Sequence, residues 1–132
     1  METIKFRGKS KNTDKQQMVF GYGYYFDEND RHWIITDNPV PQTYVQVHEV
    51  QQFTGLHDKA GKEIWEGDIL KNKRGAIRII FWDTEMASWY TKSNTDEFLP
   101  VSLRIAMTQS SEDVNFLEII GNIHSNPELL SN

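Results

Sequence analysis

The stretch TGLHDKAGKEIWEGDIL, residues 54–70, constrains the fold more than any other part of the sequence. Asp58 and Gly61 stand where a type I turn closed by a G1 bulge needs them, because Asp caps such a turn and Gly readily adopts a positive φ. Gly67 interrupts the apolar pattern of the next strand, and Asp68 follows it directly. A glycine in that position predicts a bulge or a sharp bend. The segment therefore predicts a β-hairpin whose second strand turns a corner.

Apolar residues along the rest of the chain recur in short runs rich in aromatic and β-branched residues, separated by clusters of Gly, Asn and Asp. This spacing is typical of antiparallel β proteins, and almost no helical periodicity accompanies it. The centre of the chain predicts a bent strand, a basic loop and two further strands, an order shared with small SH3-like barrels at the level of fold alone. The predicted strands are residues 3–8, 18–26, 33–36, 44–53, 63–71, 76–82, 88–91, 100–106 and 116–123.

The sequence NPELL near the carboxyl terminus is the exception that reads as helical. Asn126 is suited to the N-cap and Pro127 to the first helical position, while Leu129 and Leu130 supply apolar docking residues. These residues predict a short C-terminal helix of about one turn.

Length and composition exclude several classes of protein. A chain of 132 residues predicts a single domain, residues 1–132, with one core, and 38% hydrophobic residues are too many for a disordered chain. No apolar run approaches the roughly 20 residues of a membrane-spanning helix. The basic start METIKFRGKSK leads into no apolar signal segment, so we expect a soluble protein of the cytoplasm. The absence of cysteine excludes disulfides, thiolate metal sites and cysteine nucleophiles.

The charge is distributed unevenly along the chain. Residues 1–92 hold 13 basic and 13 acidic side chains, whereas residues 93–132 hold one basic and six acidic, which together give the net charge of -5. A basic stretch in the middle contains Lys71, Lys73, Arg74 and Arg78. It is either a solvated hairpin tip or a contact surface for nucleic acid or a partner. We also expect the acidic residues 96–128 to face this stretch, within one chain or between copies, which would favour self-association that weakens in salt.

The run FGYGYYF, residues 20–26, is strongly aromatic. Strand alternation places Phe20, Tyr22, Tyr24 and Phe26 on one face. Such a face is either an exposed stacking platform for bases or sugars, or part of the core with glycines that permit close approach of another segment. We expect the rings to lie in the core.

Motifs that carry catalytic chemistry are missing from the sequence. Glu63, Glu66 and Asp68 are close enough in sequence to coordinate a cation or to act as general acid and base. Their spacing does not match that of an EF-hand calcium loop. The four histidines occur singly, without the spacing of a zinc site. No phosphate-binding loop, dinucleotide fingerprint or nucleophile elbow occurs. We therefore expect no enzymatic activity, no metal and no cofactor.

Three segments together resemble the YopX family of phage and prophage proteins. The central FTGLHDKAGKEIWEGDIL is similar to the family's T-G-L-x-D-x-x-G-K-x-I-aromatic-E-G-D-I core. The start IKFRGKSKNTDKQQMVFGY resembles its F-R-G-K opening, and EIIGNIHSNPELL resembles its I-G-N-I…N-P-E-L ending. The resemblance implies a mostly β fold, with antiparallel strands curled into an irregular (pseudo-)barrel, in a temperate-phage protein that acts inside its bacterial host. It implies no known activity.

Two hypotheses of function remain. The first is a non-enzymatic phage accessory protein in the host cytoplasm that binds an unknown host or phage protein, or associates with itself as a homo-oligomer, without membrane contact. The second is a nucleic-acid-binding small β-barrel, in which the basic stretch from Lys71 to Arg78 binds phosphates while nearby aromatic side chains stack on bases. The aromatics considered are Trp65, Trp82, Trp89 and Tyr90. Whether these rings lie exposed beside the basic stretch or inside the core distinguishes the two hypotheses.

Overall fold

The computed structural model describes residues 4–11, 17–36, 43–72, 75–94, 100–103 and 118–130. Contacts divide the chain into an amino-terminal unit, Met1–Gly55, and a carboxy-terminal unit, Leu56–Asn132. Among the described residues, buried apolar side chains form two clusters, one in each unit. Each unit therefore has a small hydrophobic core of its own.

Antiparallel strands make up nearly all the regular structure of the described residues, which confirms the prediction of a mostly β fold. Three predicted strands are each divided in two, at Tyr22, at residues 48–50 and at residues 66–67. No helix in this described part is long and apolar enough to cross a bilayer. The strands are β1 (Phe6–Lys9), β2 (Met18–Gly21), β3 (Gly23–Phe26), β4 (His32–Thr36), β5 (Thr43–Val47), β6 (Gln51–His57), β7 (Glu63–Trp65), β8 (Asp68–Lys71), β9 (Ile77–Asp83), β10 (Ser88–Ser93), β11 (Val101–Ser102) and β12 (Glu118–Asn122), and a 3₁₀ helix spans Pro127–Leu130.

The amino-terminal unit is built from two antiparallel sheets. In one sheet β1 lies between β2 and β6, and in the other β4 lies between β3 and β5. Phe6, Ile34 and Val47 form the core of the unit, with Val19 and Val50 packed against them. Gly21 allows a close approach, because a Cβ atom there would overlap the carbonyl group of Ile35. The glycine expected to let another segment come near therefore does so at this position.

The carboxy-terminal unit contains a five-stranded antiparallel sheet in the order β11-β10-β9-β8-β12. One face packs around Leu70 and Ile80, which cluster with Ile64 and Leu103. The opposite face also buries Ile69 and Ile79. A bulge between Ile119 and Gly121 interrupts the pairing of β12 with β8, and Leu129 of the 3₁₀ helix packs over Gly121. The short C-terminal helix was predicted from its sequence and is confirmed in the 3₁₀ form.

The sheets of the described residues are open. Each has strands at its two ends with a neighbour on one side, so none of them closes into a barrel as the family resemblance implied. The chain bends at Tyr22 and again at residues 48–50, and each bend carries it from one sheet into another instead of continuing a single curled sheet. The order β8-β9-β10 does reproduce the bent strand and two following strands expected at the centre.

Trp65 and Trp82 provide a matched pair for measuring how much burial of a tryptophan contributes to the free energy of unfolding. Trp65 is 2% exposed and Trp82 is 43% exposed. We expect Trp65→Ala to lower the free energy of unfolding by about 3 to 5 kcal/mol, because it leaves a cavity. Trp82→Ala removes a ring that is largely in solvent and should cost less than half as much. Denaturant titration of both variants checks this, and equal losses would contradict it.

Candidate functional site

Asp58 organises the hairpin turn at the start of the carboxy-terminal unit. Its Oδ1 accepts hydrogen bonds from the backbone N–H groups of Ala60 (2.9 Å) and Lys62 (2.8 Å). Gly61 has a φ of 86° and donates its N–H to the Asp58 carbonyl at 3.0 Å, which confirms the predicted turn. The Oδ2 of Asp58 accepts from the backbone N–H of Ile119 in β12 at 3.2 Å. One carboxylate therefore caps the turn and fastens it to a strand 61 residues away.

Asp68 performs a similar task at the next corner. Gly67 has a φ of 83°, which confirms the predicted bend between β7 and β8. The bend lets Asp68 Oδ2 accept from the backbone N–H of Trp65 at 2.8 Å. Asp68 Oδ1 accepts from the side-chain amide of Asn122 at 3.1 Å. The carboxylate is 2% exposed, so these donors replace the water that it has lost.

Asn122 extends the network toward the C-terminal helix. Its side-chain oxygen accepts from the backbone N–H of His124 at 2.9 Å. Its own backbone N–H donates to Asn126 Oδ1 at 3.2 Å. Asn126 directly precedes the first helical residue, as predicted for the N-cap, and its carbonyl accepts from the N–H of Leu129 at 3.1 Å, while its side-chain oxygen is engaged with the end of β12. The residues that dominate the sequence motif are therefore occupied in holding the turn, the corner and the helix together.

The carboxylates of Asp58 and Asp68 are engaged by hydrogen-bond donors of the chain itself. Among the described residues, no group of three or more His, Asp and Glu side chains lies close enough to hold a metal ion. Both oxygens of Asp58 and of Asp68 accept hydrogen bonds. A carboxylate saturated in this way is poorly suited to move a proton or to bind a cation.

The basic stretch does not form one surface in the described residues. Lys71 is exposed, and its neighbour Leu70 points to the opposite, buried face. Arg78 lies opposite Leu70 in the register of β8 and β9, so it shares the face of that buried leucine and not the face of Lys71. Its Nη1 atom is buried and has no hydrogen-bond partner in the part described. Lys73 and Arg74 lie outside the described residues, as does most of the acidic segment 96–128.

Of the aromatics considered for base stacking, Trp82 is exposed and lies away from Lys71, and the other three are at least partly buried. Trp65 is buried, and Trp89 packs on the core. Trp82 meets Trp89 edge to face, with 5.1 Å between ring centroids, near the turn between β9 and β10. Lys71 lies opposite Ile77 in the register of β8 and β9, and a rise of five residues along β9, about 17 Å, separates Ile77 from Trp82. Tyr90 is half-buried.

The aromatic run of the amino-terminal unit is exposed, so the expectation that its rings fill the core is wrong. The side chains of the predicted face remain 50–69% exposed, and they are Phe20, Tyr22, Tyr24 and Phe26. The run is divided between β2 and β3, and β3 lies at the edge of its sheet, where a ring has a neighbour on one side only. Tyr24 packs edge to face on Phe6 at 4.9 Å, and Phe26 packs on His32 at 4.4 Å.

The outer side of the sheet β3-β4-β5 carries a surface that sequence reasoning missed. We call it the aromatic face, and its residues are Tyr25, Trp33, Ile35 and Tyr44. The register places Tyr25 opposite Trp33 and Ile35 opposite Tyr44. Tyr25 and Tyr44 are about half exposed, and their rings meet edge to face at 6.5 Å. In the sequence, Trp33 and Ile35 alternate with Ile34, which indicates that they share one face of a strand. The alternation alone does not show which of the two faces packs on the core.

Asp27 fixes the position of Trp33 on the aromatic face. Its Oδ2 accepts from Trp33 Nε1 at 2.9 Å and from Arg31 Nε at 2.7 Å. Its Oδ1 accepts from the backbone N–H groups of Asn29 and Arg31. Desolvation acts to raise the pKa of Asp27, but the hydrogen bonds from Trp33, Arg31 and Asn29 outweigh it and hold the pKa well below its usual range. The guanidinium of Arg31 lies 5.9 Å from the Trp33 ring centroid.

We expect Asp68→Ala to destabilise the protein by about 3 kcal/mol or more, because it leaves the Trp65 N–H and the Asn122 amide without their buried acceptor. Asp83→Ala is the matched control, since Asp83 also accepts two hydrogen bonds from backbone N–H groups, but in an exposed turn. It should cost about 1 kcal/mol. Denaturant titration measures both, and a loss for Asp68→Ala no larger than the control would refute the structural role.

Asp27 should make the stability of the β3–β4 hairpin depend on acid pH. A carboxylate with a depressed folded pKa stabilises the fold above its unfolded pKa of about 3.9, and this contribution is lost as pH falls toward the folded value. The indole N–H resonance of Trp33 in NMR spectra reports the contact. Because the folded pKa is depressed, the resonance should keep its position through about pH 4, where an ordinary aspartate titrates, and move only at lower pH in the parent. It should stay unchanged in Asp27→Asn, which cannot ionise. The same titration in both proteins would contradict this assignment.

Comparison with known proteins agrees with the fold. A sequence profile of the family described as YopX protein matches residues 5–131. The chain is also similar to the crystal structure of protein EF1440 from Enterococcus faecalis, with a TM-score of 0.56 and 24% identity over 99% of this chain and 100% of that chain. That likeness shows a shared fold, and no curated protein matches the sequence. Because the profile spans nearly the whole chain and bears out the resemblance of its three segments, this chain belongs to the phage-associated YopX family.

Proposed function

We propose that this chain is a non-enzymatic phage accessory module that binds a protein in the host cytoplasm through the aromatic face. The supporting observation is the arrangement of Tyr25, Trp33 and Tyr44 on one side of a three-stranded sheet, with two of the rings about half exposed. Exposed apolar patches on small proteins commonly mark interaction sites. Tyr and Trp are also the residue types that contribute most binding energy in protein interfaces.

The way Trp33 is held supports binding by a preformed surface. Its indole nitrogen donates to the carboxylate of Asp27. The same carboxylate accepts two hydrogen bonds from Arg31, whose guanidinium packs near the indole ring. A ring held in this way loses little conformational entropy when a partner arrives. The aromatic face therefore has the rigidity that a specific interface needs.

The charges beside the aromatic face favour a protein over a nucleic acid. Nucleic-acid binding at an aromatic platform requires cations that reach phosphates. Arg31 is already paired with Asp27 at 2.7 Å. The same turn exposes Glu28 and Asp30, which repel a phosphate backbone. In the carboxy-terminal unit, Lys71 is separated from the exposed ring of Trp82, which weakens the alternative built on the basic stretch.

Tyr44→Ser tests the proposal, because it removes an exposed ring from β5 and leaves the Asp27 contacts in place. Met86→Ser is the control, since Met86 is also more than half exposed but lies in the carboxy-terminal unit. Each protein is immobilised, exposed to lysate of phage-carrying cells, and the captured proteins are identified by mass spectrometry. We expect a protein captured by the parent and by Met86→Ser to bind Tyr44→Ser at least about tenfold more weakly.

Two results would count against the proposal. Equal capture by Tyr44→Ser and Met86→Ser would remove the aromatic face from the interface. Salt-sensitive binding of random single-stranded DNA by the parent, lost in Tyr44→Ser, would favour the nucleic-acid hypothesis instead.

A further inference from the structure

The edge strand β3 has aromatic side chains on both of its faces. Its sequence is GYYF, with Tyr24 and Phe26 on one side and Tyr25 on the other. Strands that are apolar on both faces belong in the middle of sheets, where neighbouring strands cover them. In the described residues β3 instead pairs with β4 alone. It also lacks the lysine, proline or bulge by which edge strands normally discourage further pairing.

The hydrogen-bond pattern shows which backbone groups of β3 point outward. The N–H of Asp27 donates to the carbonyl of Arg31 at 3.1 Å, so this pair is a hydrogen-bonded one. Hydrogen-bonded and non-hydrogen-bonded pairs alternate along an antiparallel ladder. Tyr25 therefore bonds to β4, whereas the N–H and C=O groups of Tyr24 and Phe26 point to the open side. Four outward backbone groups are in position to bond another strand.

The exposed rings around β3 are extensive enough for an interface. The side chains concerned are half exposed or more, and they are Phe20, Tyr22, Tyr24, Tyr25 and Phe26. Aromatic side chains bury about 150 to 250 Å² each, so covering the exposed half of five rings removes roughly 500 Å² from water in one copy. Two copies would bury about 1,000 Å², which is near the lower limit for a specific interface.

We infer that β3 pairs antiparallel with β3 of a second copy of this chain. This inference goes beyond the proposed function and names a second copy of the chain as the partner for the rings around β3. With Tyr25 of the two copies opposite each other, Tyr24 lies opposite Phe26 of the second copy, and all four outward backbone groups of each strand are bonded. The two three-stranded sheets then form one six-stranded sheet about a two-fold axis. The pairing needs no charged residue, so it should persist in salt that screens ionic contacts.

Light scattering and hydrogen exchange test the pairing from about 1 μM to about 1 mM protein. We expect the mass to rise from 15.4 kDa to twice that value, at low and high salt alike. Over the same range, exchange of the Tyr24 and Phe26 amides should slow in proportion to the dimer fraction, while exchange of the Tyr25 amide, already bonded to β4, should change little. The amide measurement uses the unaltered protein and does not depend on a variant that folds.

Phe26→Lys places a charge on the open edge and should weaken the dimer at least about tenfold. Tyr44→Lys, on the strand at the other side of the sheet, should leave the dimer intact. A parent that stays monomeric throughout the range, a dimer that survives Phe26→Lys, or protection that develops elsewhere would overturn the inference. The proposed function fails separately, because Tyr44→Ser tests capture of another protein and leaves the β3 edge unchanged.

Discussion

The buried carboxylate of Asp68 is the interaction on which the carboxy-terminal unit most depends. An ionised group removed from water is costly unless donors surround it, and here the chain supplies the Trp65 N–H and the Asn122 amide. The first donor is within reach because Gly67, at a φ of 83°, folds the strand back. The second arrives from a strand 54 residues away. The dense order of residues 54–70 is therefore the signature of a buried polar network.

Asp27 in the amino-terminal unit and Asp68 in the carboxy-terminal unit both fix nearby groups by accepting hydrogen bonds, but Asp27 does so at the surface. Both carboxylates accept a backbone N–H and a side-chain N–H. The difference lies in what each one orients. Asp68 holds the main chain of a corner beside the core, whereas Asp27 holds the indole of Trp33 on an open sheet. A surface carboxylate with four hydrogen bonds contributes modestly to stability, since water competes for it, but it keeps the aromatic face in a single arrangement.

Local chemistry explains what could be predicted from the sequence. The turn at Asp58 and Gly61, the bend at Gly67 and the burial of Trp65 each follow from a few neighbouring residues, and the structure confirms all three. The aromatic run could not be placed in the same way. Alternation tells which side chains share a face, but whether a strand is central or at an edge depends on pairings with distant segments. The hydrogen bond between Asn122 and Asp68 also depends on pairing of distant segments, so it could not be predicted from the sequence. The same holds for the position of Arg78 on the face of buried Leu70.

Pairing through the edge strand β3 and binding of a partner at Trp33 and Tyr44 can occur in the same molecule. An edge strand with rings on both faces, left open, pairs with whatever strand it meets, which is a hazard for a small β protein. Pairing with an identical strand satisfies the outward backbone groups in a closed two-fold arrangement that adds no further subunits. Such pairing consumes the open edge and widens the sheet, but it covers neither Trp33 nor Tyr44, which lie on the strands beyond β3. A dimer would thus present two copies of Trp33 and Tyr44 on one continuous sheet, and a partner with two matching sites would bind it with greater avidity than one copy alone provides.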